Sequence, residues 1–134
     1  MNVLVPSNYG PAFASLLNKD RRRPLDAGTP DRTARGDLSR LSVENAFAHT
    51  TVADREMASC CVSGVWLLHD FLDESHTISQ SIETPSGSYW HAIMHRREGD
   101  FSNSKYWYRR VGPHPVIDFL GERVGGTHDP FAFV

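Results

Sequence analysis

The sequence predicts an all-α fold, and three observations carry that prediction. Apolar residues recur at three- and four-residue spacing from Leu38 onward, prolines and glycines cut the chain into helix-length pieces, and runs of alternating β-branched residues are missing. The expected architecture is a small irregular helical bundle with one long central helix. A length of 134 residues fits one domain, since two separately cored domains would be unusually small. Residues 41–134 read as the helical domain and residues 1–40 as a loosely structured N-terminal segment, largely loop.

Each element has its own signals. Pro11 to Asn18 supports a short helix carrying Phe13, Leu16 and Leu17. Lys19 to Arg40 mixes Lys19, Arg21, Arg22, Arg23, Arg32, Arg35 and Arg40 with four aspartates, two prolines and two glycines, and has almost no bulky apolar residue before Leu38. Such a stretch buries too little surface to offset its ordering entropy, so it is expected to be a long, weakly packed loop. Leu38, Leu41, Val43, Ala46 and Phe47 then suggest a short helix capped by Asp37 or Ser39. Ala53 to about Gln80 runs without proline, and its single Gly64 costs a helix about 1 kcal/mol without ending it. That is the expected long helix.

The remaining helices are shorter. Thr84-Pro85 and Ser86-Gly87-Ser88 form a break, after which Thr84 or Ser88 can cap a helix over Tyr89–Arg97. Gly99-Asp100 stops it, Ser102 or Asn103 starts the next through Val111, and Gly112-Pro113-His114-Pro115 ends that one. A last short helix fits Val116–Arg123. Asp129-Pro130 has the N-cap and first-turn chemistry of one more helix, but only a few residues follow it. This pattern suggests a domain truncated at its C-terminal end.

Composition narrows the function classes. The chain is 40% hydrophobic and 22% charged, and no apolar run reaches the roughly 18–20 residues of a membrane span. Its first residues have neither the basic start nor the apolar core of a secretory signal, so a cytoplasmic, non-membrane protein is expected. A net charge of −2 argues against a general nucleic-acid binder. Cys60 and Cys61 are adjacent and form neither a disulfide framework nor a zinc knuckle.

Chemistry concentrates on two helical faces. On the expected long helix, His69, Asp73, His76 and Gln80 fall in a strip about 60° wide. On the next helix His91, His95 and Glu98 share a face at i, i+4 and i+7. The short connection favours antiparallel packing, so His69, Asp73, His76, His91, His95 and Glu98 are expected to converge. Imidazoles and carboxylates are the usual ligands of zinc, iron and manganese. A metal-dependent enzyme built here would activate a water as nucleophile and use a spare carboxylate as base. The same residues also suit a buried hydrogen-bond network that fixes helix packing. Ala92 stands where a zincin would have its glutamate. Asp73-x-x-His76 resembles the Glu-x-x-His element of di-metal bundles, with too few carboxylates around it, and His69-Asp70 resembles the dipeptide of HD phosphohydrolases without the wider pattern.

A second set is aromatic and basic. Tyr89 to Pro115 holds five Lys or Arg against Glu98 and Asp100. Arg96, Arg97, Arg109 and Arg110, with Trp90 and Trp107 as walls, suit a small anionic ligand. They equally suit a structural network in a scaffold or interaction protein. Asn103, Tyr106, Trp107 and Arg110 share one helical face, read as the buried one.

The segments HDFLDESH, YWHAIMHRREGDFSN and KYWYRRVG, within Leu67 to Pro115, resemble an uncharacterised family of hypothetical proteins. The resemblance covers about the central third of the chain. It implies no activity, cofactor or partner, so it assigns no role to any residue. It does imply a chain that continues past Val134.

Overall fold

Helix is the only regular structure among the described residues, which in this computed structural model are 4–18, 22 and 24–134. Lys19, Asp20, Arg21 and Arg23 of the charged stretch lie outside them. A 3₁₀ turn at Pro6–Tyr9 leads into α1 (Pro11–Leu17), and α2 (Arg35–Ser39) and α3 (Val43–Ala46) are single turns. The body follows as α4 (Arg55–Leu68), α5 (Leu72–Ser79), α6 (Pro85–Glu98) and α7 (Phe101–Val111). The chain ends with α8 (Pro115–Arg123) and α9 (Pro130–Phe133). This is the all-α bundle that the periodicity predicts.

Polar caps set most of these starts. The Asp54, Thr84, Asp100 and Asp129 side chains accept the backbone N–H of Met57, Gly87, Asn103 and Phe131. Ser42 and Asn45 form a reciprocal capping box at α3. Asp100, and not Ser102 or Asn103, starts α7. The helix expected over Leu38–Phe47 divides in two, with Leu38 in α2 and the Ser42 cap opening α3.

The expected long helix over Ala53–Gln80 also divides, at His69-Asp70-Phe71. Asp70 takes a left-handed conformation (φ 67°), and the Asp70 and Phe71 N–H groups donate back to the Leu67 and Trp66 carbonyls, both at 3.1 Å. This double closure is the Schellman ending usually built on glycine. Gly99 builds the same ending on α6, with the Gly99 and Asp100 N–H groups donating to Arg96 and His95. At Asp70 the side chain compensates the backbone cost, because its carboxylate accepts from Arg97 Nη2 at 2.6 Å in a buried ion pair.

The core lies where α1–α3 meet α4. Phe13, Leu16, Ala34, Leu38, Ala46, Val62, Val65, Trp66 and Phe71 form one buried cluster. Residues 11–38 therefore contribute four core side chains, more than a loose segment supplies. α6 packs against α4, α5 and α7. Serines allow close approach at two of the seams: Ser63 Oγ donates to the Ser75 carbonyl at 3.0 Å between α4 and α5, and Ser104 Oγ donates to the Ala92 carbonyl at 2.8 Å between α6 and α7.

The buried face of α7 is Ser104, Tyr108 and Val111, and not the expected Asn103, Tyr106, Trp107 and Arg110. Tyr108 and Val111 pack around Ala92, which leaves Tyr106 and Arg110 exposed and Asn103 and Trp107 half-buried. No described helix is long and apolar enough to cross a membrane.

Candidate metal centre

Three of the four predicted histidines converge. His76, on the last turn of α5, meets His91 and His95, one turn apart on α6. Ring centroids lie 4.7 Å apart for His76–His91, 5.3 Å for His76–His95 and 4.7 Å for His91–His95. One nitrogen from each ring can be chosen so that all three lie within 4.8 Å of one another. A zinc ion about 2.0–2.1 Å from each nitrogen needs them roughly 3.3 Å apart, closer than this bound.

His91 is the least satisfied member. It is 3% exposed, and both its Nδ1 and its Nε2 are buried without a hydrogen-bond partner among the described residues. Its ring stacks on the Trp107 indole with centroids 3.9 Å apart. Burial, then the neighbouring His95 and His76, push its pKa down from 6.5 to about 4, so the imidazole is neutral at neutral pH. An orphaned buried imidazole of this kind costs about 1–3 kcal/mol unless something binds it. His95 is better provided for: its Nδ1 lies 2.6 Å from Glu98 Oε1.

His69 and Asp73 do not join this centre. The Schellman ending turns α5 away from the line of α4, so the expected strip is not continuous. His69 is 1% exposed in the core, with Nε2 2.8 Å from the Leu16 carbonyl and Nδ1 3.5 Å from Asp31. Asp73 is exposed on the first turn of α5 and lines an open cavity with Arg32 and Arg35.

The four arginines and two tryptophans do not form one clamp. Arg97 is buried and fully engaged, donating to the carbonyls of Asp26, Ala27 and Leu67 as well as to Asp70. Arg96 donates to the Leu25 carbonyl at 2.7 Å and lies over Phe101 and Phe133. Arg109 borders a cavity beside Tyr108 and His128, and Arg110 lies over Trp107, 5.4 Å from the ring centroid. Trp90 instead lines an apolar cavity of about 760 Å³ with Phe13, Phe47, Leu68 and Ile93.

One Ser–His contact escaped the sequence reading, because its partners are 28 residues apart with no motif between them. Ser86 Oγ and His114 Nε2 are 2.8 Å apart. His114 Nδ1 accepts the Val116 N–H at 3.1 Å, so the proton of the neutral ring sits on Nε2. Nε2 therefore donates to Ser86 and cannot act as its base. The cysteines are no better as nucleophiles, since burial pushes the Cys60 thiol up to about 11 and the Cys61 thiol upward as well.

No protein-family model, curated protein or solved structure matches this chain.

Proposed function

We propose that this protein binds a divalent transition metal, with zinc as the first candidate, through His76, His91 and His95. The reading is carried by His91, whose two ring nitrogens are buried beside two other imidazoles and have no hydrogen-bond partner among the described residues. A hydrogen-bond network, the competing account of these histidines, would engage that ring and does not; a metal ion would take the lone pair of one of its nitrogens and leave only the N–H. Neutral imidazole is the ligand form, and the low pKa of His91 keeps it in that form. Three imidazoles leave a fourth tetrahedral position for water or a substrate, the arrangement that a catalytic zinc site requires. Iron and manganese, which also take imidazole, are the alternatives that metal analysis separates.

The test is metal content and linked stability. Protein purified without a histidine tag is expected to hold about one equivalent of metal, and chelation is expected to lower Tm, because a ligand that binds only the folded state stabilises it. His91→Ala should abolish binding and make Tm indifferent to chelator. Metal-free protein that takes up no zinc, iron or manganese, with Tm unmoved by any of them, would refute the reading.

A further inference from the structure

Glu98 is placed where a helix does not favour it. It is the last residue of α6, close to the negative end of the helix dipole, where an anion is destabilising. The neighbouring Asp100 carboxylate is engaged as the cap of α7, accepting the Asn103 N–H at 3.2 Å. Among the described residues the Glu98 carboxylate pairs with His95 Nδ1 at 2.6 Å, and its side chain is 39% exposed against 8% for His95. The carboxylate end of the pair is open to water, and that screening keeps its contribution to stability modest. Its geometry does fix a proton, however. A carboxylate only accepts, so Nδ1 of His95 must be the N–H donor, and in the neutral ring the lone pair then sits on Nε2.

We propose that Glu98 is a positioning residue for the metal centre and not one of its ligands: it holds the His95 Nδ1–H and leaves Nε2 as the nitrogen that His95 offers the metal. This inference rests on the metal reading above. It adds a division of labour, with three imidazoles binding and one carboxylate orienting and making His95 a stronger donor. Carboxylate–histidine–metal relays work in this way, and loss of the outer carboxylate typically weakens metal affinity 10–100-fold. The helix dipole supplies a readout that distinguishes this role from a structural one. Removing an anion from a helix C-terminus relieves its repulsion by the dipole, which offsets the lost hydrogen bond to His95 in the metal-free fold, so affinity and stability should separate.

The experiment titrates metal-free wild type, Glu98→Ala, Glu98→Gln and His76→Ala with Zn(II) and Co(II), and measures the Tm of each metal-free protein. For Glu98→Ala the expected result is a 10–100-fold weaker zinc affinity, one equivalent still bound, an unchanged Co(II) ligand-field spectrum and a metal-free Tm no lower than wild type. Glu98→Gln keeps an acceptor oxygen and should fall between the two. His76→Ala should lose binding. Equal affinities for wild type and Glu98→Ala would overturn the inference while leaving the metal reading intact. A changed Co(II) spectrum in Glu98→Ala would make Glu98 a ligand, and a marked loss of metal-free Tm would make it structural; either overturns the inference. Failure of wild type to bind either metal would instead refute the metal reading itself.

Discussion

Acidification of the metal-free protein should expose the cost of keeping His91 neutral. Its pKa falls from 6.5 in the unfolded chain to about 4 in the fold, so the unfolded chain binds the proton more tightly. The stability associated with His91 is therefore fully present above about pH 6.5 and is lost as pH falls through about 4. At about 1.4 kcal/mol per pKa unit, the shift amounts to roughly 3 kcal/mol. The groups around the ring agree with this sign: a charged His76 or His95 ring disfavours a second positive charge on His91, Trp107 carries no charge, and Glu98 is paired with His95. His91→Phe keeps a ring on Trp107 and removes the titrating nitrogens. Urea denaturation in chelator at about pH 7 and about pH 4 should show wild type losing about 3 kcal/mol more than the variant over that interval. The comparison cancels the carboxylates common to both proteins. At neutral pH the variant should be no less stable, because removing orphaned nitrogens returns about 1–3 kcal/mol against a modest cost for the larger ring. Parallel pH profiles for the two proteins would refute the account of His91 as an unsatisfied buried base.

Two further substitutions address the frame around the centre. Arg97→Ala removes the guanidinium from a buried ion pair with Asp70, whose side chain is 3% exposed, and should cost about 3–5 kcal/mol in chemical denaturation. A loss below about 1 kcal/mol would mean that the pair is hydrated and adds little. Gly64→Ala places a Cβ 2.8 Å from the Trp90 ring, so it should destabilise by about 1–3 kcal/mol and shift the tryptophan fluorescence; unchanged stability and emission would contradict the contact.

The helical class, the Thr84 and Asp129 caps, and the pairing of His76 with His91 and His95 were all legible from spacing and punctuation. The break in the long helix was not. A Schellman ending announces itself through glycine, as Gly99 does on α6, whereas Asp70 occupies the same conformation with nothing local to mark it. Its compensation comes from Arg97, 27 residues further along the chain. One hidden turn accounts for the misplaced site residues, because a strip computed over an unbroken helix carries His69 and Asp73 along with His76. The buried face of α7 is hidden for a related reason. Spacing groups Asn103, Tyr106, Trp107 and Arg110 on one face, while the close seam with α6 needs Ser104 against Ala92 and leaves Trp107 at its margin beside His91.

Arg97 also bears on the order of folding. Its guanidinium joins the carbonyls of Asp26 and Ala27, 71 and 70 positions back along the chain, to the end of α4 and to Asp70. Contacts of such sequence separation form late, because the loop they close must lose its entropy first. The helix pair α6–α7, joined through Gly99 and Asp100, needs no such closure and can assemble from local contacts alone. On this ordering the N-terminal third, which completes the core against α4, is expected to dock last, with Arg97 as the fastening. His91 and His95 belong to that early local unit, and His76 joins them from the helix just before it.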